Sequence, residues 1–261
     1  RAACVARAAE SRTRECRWHR LVCARNRASS VWFASRRGRT RGPVSIQTLT
    51  VDSGDCSCTP LWFVVGPPPP QPDKHRVLGN PLKDDGTWTA KGYGTAYFAG
   101  GCFWGLEKTF WTTPGVVSTA VGYQGGEVEN PTYRGVCTGG TGHTEVVKVV
   151  FDSAATSYTN LLNVFWSSHN PTTANRQGND VGTQYRSAIF YTTPEQKADA
   201  ERTMAHFNAC AKGKLNGATT EIKDAETEPF YYAEAYHQQY LDANPGGYCP
   251  SHGTGLYTPV E

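Results

Sequence analysis

From about Thr87 onward, apolar and polar positions alternate in periods that can be assigned to elements. Thr95–Ala99 (TAYFA) is a short apolar run halted by Gly100-Gly101, and it reads as a buried strand. Phe103–Trp111 (FWGLEKTFW) has helical spacing. Val116–Tyr123 is β-branched and strand-like, and ends at Gly125-Gly126. Across 143–151, Glu145, Val147, Val149 and Phe151 fall on one face of a strand. Tyr158, Leu161, Leu162, Phe165 and Trp166 recur at helical intervals and predict an amphipathic helix. Tyr185–Tyr191 is a further strand. Thr193-Pro194-Glu195-Gln196 then opens a helix, with Thr193 as N-cap, Pro194 at the first helical position and Gln196 completing a capping box. Gly213 is placed to close that helix. Thr219–Lys223 reads as the last strand and Phe230–Leu241 as the last helix, followed by a Gly/Pro-rich, irregular tail. The order β-α-β-β-α-β-α-β-α predicts an α+β fold, a two-layer sandwich whose first part is a split βαβ, ferredoxin-like arrangement.

Upstream the periodicity is missing. Residues 1–42 hold twelve Arg against two acids, Glu10 and Glu15, a net charge of +10, while the remaining 219 residues carry −7. The formal charge of +3 therefore describes an acidic body behind a basic leader. Residues 1–42 have the Arg/Ala/Ser composition of an organelle transit peptide; an upstream region translated in error would look the same. The first reading implies a plastid or mitochondrial protein, the second a cytoplasmic one. Residues 43–86, with the run Pro67–Pro70, read as an unstructured Pro-rich spacer, and 87–261 as the working domain. No stretch approaches the ~20 apolar residues of a membrane helix. The −7 body has the wrong sign for a nucleic-acid binder, and no RNA-binding signature of basic residues, Gly and aromatics is present.

Nine cysteines make an odd count, too few for a disulfide scaffold. One of them stands out. Cys102, in Gly100-Gly101-Cys102-Phe103-Trp104-Gly105, sits between a strand end and a helix start. Free N–H groups and partial positive charge at a helix N-terminus favour a thiolate, and the preceding glycines keep the sulfur approachable. Taken on its own, the same residue also fits a buried cysteine acting as a small hydrophobe. Cys56 and Cys58 form a lone Cys-x-Cys with no second pair at zinc spacing. Cys249/His252 and His143/Glu145 have ligand spacing but lack third and fourth partners, so neither a metal nor another cofactor is expected.

GCFWG is followed by GY-x-GG (Gly122–Gly126), NPTY (Asn130–Tyr133), TGH-x-E (Thr141–Glu145), RQGNDVGTQYRS (Arg176–Ser187) and YYAE-x-x-HQQY (Tyr231–Tyr240). In this order the segments resemble the type A peptide methionine sulfoxide reductases, from about Thr95 to Gly253; nothing equivalent covers residues 1–85. The resemblance implies reduction of free and protein-bound methionine-(S)-sulfoxide, in protein repair and defence against oxidative stress. It implies Cys102 as the nucleophile, Glu145 as the acid, and Tyr133 and Tyr185 as hydrogen-bond donors to the sulfoxide oxygen. It makes Phe103 and Trp104 the pocket for the ε-methyl group, Asp180 an orienting group and His237 a lesser supporting one. The oxidised Cys102 would be resolved by Cys249, and the disulfide reduced by thioredoxin. The expected partners are thus oxidised proteins, peptides or free methionine sulfoxide, with thioredoxin as reductant and a monomeric enzyme. Many family members carry another Cys shortly after the position of Cys249; here the tail has none, which favours a two-cysteine relay. Cys137 is a reserve resolver, and Cys210, within a helix, is structural. A thiol peroxidase using Cys102 would have no need of the aromatic pocket or of the Tyr133/Glu145/Tyr185 set.

Overall fold

The computed structural model describes residues 67–248 and 253–261. The basic leader, Cys56, Cys58 and Cys249 lie outside the described residues. A short helix α1 (Thr87–Lys91) precedes β1 (Gly94–Gly100), α2 (Phe103–Trp111) and β2 (Val116–Gln124). Then come α3 (Tyr133–Cys137), β3 (Thr144–Phe151), α4 (Tyr158–Ser168) and a small hairpin of β4 (Arg176–Gln177) and β5 (Asp180–Val181). A 3-10 turn (Thr183–Tyr185) leads into β6 (Ser187–Tyr191), α5 (Pro194–Ala211), β7 (Glu221–Asp224) and β8 (Tyr231–Tyr232). A second 3-10 turn (Ala235–His237) and α6 (Tyr240–Ala243) follow.

The main sheet has six strands in the order β7-β6-β1-β3-β2-β8. β1 pairs antiparallel with both β3 and β6, β2 pairs antiparallel with β3 and β8, and β6 and β7 run parallel. With helices packed on this mixed sheet, the fold is α+β. One face carries Ala96, Phe98, Val121, Tyr123, Val147, Val149 and Ile189 against Leu106 and Phe110 of α2, Leu161, Leu162 and Phe165 of α4 and Phe207 of α5. Phe98 stacks on Phe110 and Phe165 at centroid distances of 4.9 and 5.3 Å, so the centre of this layer is aromatic. The other face holds Ala99, Val146, Ala188 and Phe190, with Tyr97 and Phe230 against them.

The caps read from the sequence at the two ends of α5 are present. Thr193 Oγ1 accepts from Gln196 N (3.2 Å), Pro194 opens α5, and Gly213 follows with φ 77°. Ser157 Oγ accepts from Asn160 N (3.1 Å) at the start of α4.

Three stretches depart from expectation. The helix predicted over Phe230–Leu241 is instead strand β8, a 3-10 turn and the single-turn α6. Main-chain pairing and side-chain anchors hold this arm: β8 pairs with β2, and the Gln238 amide bonds both N–H and C=O of Val121 at 2.9 Å. The strand expected from Tyr185 begins at Ser187, because the chain first makes a 3-10 turn. The last part of the expected spacer is packed: Lys74 and Pro81 bridge, and His75 and Leu82 are buried. At the far end, Tyr257 donates to Asn163 Oδ1 (2.8 Å), so the last residues lie on α4.

Candidate active site

Cys102 is the N-cap of α2, delivered to the helix start by the end of β1. Gly101 makes the turn with φ 96°, and a Cβ there would collide with the side chain of Gln177. Cys102 is nearly enclosed, at 7% relative exposure. Burial, followed by the negative charge of Glu145, pushes the Cys102 thiol well above the ordinary cysteine range. The amides of Trp104 and Gly105 at the helix start pull the other way. The thiolate expected from helix position alone is thus outweighed by desolvation: the free site holds a thiol.

Glu145, at 2% exposure on the β3 face shared with Val147 and Val149, lies beneath the first turn of α2. Its Oε2 accepts the Phe103 N–H at 3.0 Å. Burial raises its pKa to about 8; the Phe103 bond opposes that rise and the Asp180 charge adds to it. Near neutrality Glu145 is therefore a carboxylic acid, held by one oxygen and with a proton to give.

The aromatic groups converge from distant parts of the chain. Thr132 caps α3 by accepting Gly135 N, which sets Tyr133 at its first turn. Tyr185 ends the 3-10 turn before β6 and faces Glu145, Asp180 and Cys102, whose charges, after burial, raise its pKa. Burial also raises that of Tyr133, so both phenols are donors. His237 meets Tyr133, Phe103 and Trp104 at centroid distances of 4.5, 5.1 and 5.7 Å. Its Nδ1 accepts the Trp104 indole N–H (3.1 Å), which leaves the ring proton on Nε2. Burial lowers the His237 pKa to about 4, so the ring is neutral. Trp104 is also stacked on Tyr240 at 3.8 Å. Phe103 is part of the main core as well as of this wall.

Two polar atoms here make no hydrogen bond to the protein: Asp180 Oδ2, and His237 Nε2, which has Glu234 Oε2 at 3.9 Å. Asp180 Oδ1 accepts from the Tyr248 hydroxyl (3.3 Å), and burial raises the Asp180 pKa. Cys137 is exposed, four residues beyond Tyr133 on α3. Cys210 lies on α5, away from this cluster, beside His206.

All the residues expected in the site come together, except Cys249, which is not among the described residues. Sequence reasoning missed two neighbours. Glu234 accepts from the Tyr123 hydroxyl and from Tyr133 N, both at 2.9 Å, and so ties β2 to the start of α3. Tyr123, wholly buried, is paired across the ladder with Glu145. Both lie inside motifs noted above, but neither residue type announces its role. His143 of the same motif is a loop clamp, with Nδ1 accepting Gly126 N and Nε2 bonded to Val128 O.

A buried thiol near a carboxylic acid, with phenols and a neutral imidazole around it, suits removal of an oxygen atom, the chemistry of a thiol-dependent oxidoreductase. Comparison with known proteins makes this specific. The profile of the family "Peptide methionine sulfoxide reductase" matches residues 94–256. The peptide methionine sulfoxide reductase MsrA of Streptomyces griseus is 55% identical over 207 residues, covering 77% of this chain and 91% of that protein. Its counterpart from Azotobacter vinelandii is 56% identical over 191 residues, covering 73% and 86%. Among solved structures, methionine sulfoxide reductase A of Corynebacterium diphtheriae matches with TM-score 0.60 and 44% identity, covering 75% of this chain and 94% of that one. Reduced Mxr1 of Saccharomyces cerevisiae matches with TM-score 0.54 and 31% identity, covering 64% and 93%. The chain belongs to the peptide methionine sulfoxide reductase family.

Proposed function

We propose that the domain reduces methionine-(S)-sulfoxide, free or within proteins, to methionine, with Cys102 as nucleophile and Glu145 as acid. The sulfoxide methyl group rests against Phe103 and Trp104. The oxygen accepts from Glu145, Tyr133 and Tyr185, and Asp180 and His237 orient the substrate through their unpartnered atoms. As Cys102 sulfur attacks the sulfoxide sulfur, Glu145 protonates the oxygen. The proton shed by the thiol returns the acid to its neutral form. The S–O bond to methionine then breaks as the hydroxyl passes to the Cys102 sulfur, the S–S bond formed by the attack breaks with its electron pair going to methionine, and methionine departs to leave Cys102 as a sulfenic acid. This half-reaction takes up no net proton.

A second thiol then attacks the sulfenic sulfur and expels water. Cys249 is assigned this step, because its chain neighbour Tyr248 is bonded to Asp180; Cys137 is the reserve. Thioredoxin reduces the resulting Cys102–Cys249 disulfide by exchange, and the enzyme works as a monomer in protein repair. The arrangement of β1, β2, β3 and β6 with α2 and α4 is read as a split βαβ, ferredoxin-like core, and the working domain as starting near residue 71 rather than at Thr87.

The observation that carries this reading is the enclosed pair of Cys102 thiol and neutral Glu145. The test is single-turnover reduction of resolved sulfoxide epimers. Wild type should yield one methionine per site from the S epimer with Cys102 oxidised, and Cys102→Ser none. Turnover of the R epimer alone, or methionine release by the Ser variant, would overturn it.

A further inference from the structure

Glu107 lies on α2, three residues after Trp104, and is completely buried. Among the described residues it forms no salt bridge. It accepts three hydrogen bonds: Gln239 N to Oε2 at 2.9 Å, Gln239 Nε2 to Oε1 at 2.7 Å, and Thr119 Oγ1 to Oε1 at 3.0 Å. The direction of the last bond is settled by His75. His75 Nδ1 accepts the amides of Val77 and Leu78, so its proton is on Nε2, which donates to Thr119 Oγ1 (2.8 Å). The Thr119 hydroxyl proton is thereby turned toward Glu107. Every group facing the carboxyl is a donor, so Glu107 serves as an acceptor on both oxygens; burial raises its pKa to about 7, and the bonds from Gln239 and Thr119 oppose that rise.

A buried carboxylate without a cation is costly, and an apolar side chain would fill a helix core with less penalty. What this one holds is unusual. Gln239 has φ 49°, a left-handed conformation that non-glycine residues rarely adopt. It is the N-cap of α6, and the two residues that grip the Trp104 indole lie two positions before it and one after. His237 accepts the indole N–H at 3.1 Å, and Tyr240 stacks on its face at 3.8 Å. The circuit runs from Trp104 through His237 and Tyr240 to Gln239, then back through Glu107 to the same helical turn.

We propose that Glu107 is a positioning residue for the substrate pocket: by fixing Gln239 in its left-handed turn it holds His237 and Tyr240 against Trp104. The inference rests on Trp104 being a wall of the sulfoxide pocket. It assigns the GCFWGLE glutamate a part in substrate affinity, one that leaves proton transfer to Glu145.

The test is single-turnover methionine formation against sulfoxide concentration, which separates half-saturation from the limiting rate. The variants are Trp104→Ala, Glu107→Gln, Gln239→Gly and the Glu107→Gln/Gln239→Gly pair. Glycine relieves the positive φ but removes the Nε2 contact. Glu107→Gln turns at least one N–H toward a donor and breaks the grip. Glu107→Gln and Gln239→Gly should each raise the half-saturating concentration on the order of tenfold, with the limiting rate down less than about threefold, and the pair should be no worse than the poorer single variant. An unchanged half-saturation in either single variant, a loss confined to the limiting rate, or additive effects in the pair would overturn the proposal. If Glu107→Gln does not fold, Gln239→Gly decides alone. A wild-type half-saturation in Trp104→Ala would instead remove the pocket reading beneath it.

Discussion

Glu145→Gln is the change that separates acid catalysis from simple binding. The amide keeps an oxygen for the Phe103 N–H, the bond made at 3.0 Å in the native site, so the variant should fold. What it loses is the transferable proton. Burial moves Glu145 from the ordinary carboxylate range, near 4.5, up to about 8. At about 1.4 kcal/mol per unit, the site favours the neutral acid by roughly 5 kcal/mol, and the near-complete burial of the group leaves little solvent screening to discount this. The acid acts only when protonated, so activity is present below that pKa and lost as pH rises through it. The protonated fraction falls from about nine-tenths at pH 7 to about one-tenth at pH 9, and the single-turnover rate at low sulfoxide, which reports the free site, should fall about tenfold over that span. Cys102 does not mask this limb, because its own ionisation lies far higher. Glu145→Gln should be slower at pH 7 by about 10²–10⁴-fold and should lack the alkaline fall. Quenched-flow measurement of methionine from pH 6 to 10 gives both results. A wild-type profile in the Gln variant, a wild-type enzyme without the alkaline fall, or a change limited to half-saturation would refute the acid role.

Other outcomes test other parts of the site. Cys249→Ser should complete one stoichiometric turnover and then stall with thioredoxin, read by methionine yield per site; full cycling would move the resolving step to Cys137. Gly101→Ala should lower stability by about 2 kcal/mol in chemical denaturation, since a Cβ meets Gln177 and the φ of 96° disfavours any side chain; unchanged stability would mean that the turn is slack. Glu234→Ala leaves Tyr123 OH and Tyr133 N without their acceptor and should cost about 1–3 kcal/mol. Slower sulfoxide reduction should accompany that loss, and wild-type rates would show that Tyr133 is placed without Glu234.

The local elements were legible because their signals are local. Phe103–Trp111 has helical spacing and Gly100-Gly101 before it; Thr193, Pro194 and Gln196 announce the start of α5 within four residues. Cys102 and Glu145 could be assigned through the motifs around them. The arm from Phe230 to Leu241 could not be read the same way. Its apolar spacing suits a helix, but Gln238 binds the backbone of Val121 and Gln239 binds Glu107, more than a hundred residues away. Those partners override the local period, and nothing in a glutamine foretells a positive φ. The contacts of His237 with Phe103, Trp104 and Tyr133 have no local signal either, because they join separate segments of the chain. At Cys102 the helix start is visible in sequence, whereas the burial that raises the thiol's pKa is not.

The packed turn ahead of Thr87 changes what counts as the smallest working enzyme. A chain cut at Thr87 would keep the matched segment 94–256 and every described site residue. It would lose His75, whose ring orients the Thr119 hydroxyl, and Arg76, whose N–H is bonded to Gln239 Oε1 at 3.2 Å. A boundary drawn at the family-matched segment alone would thus remove two of the groups that brace Gln239 and Thr119.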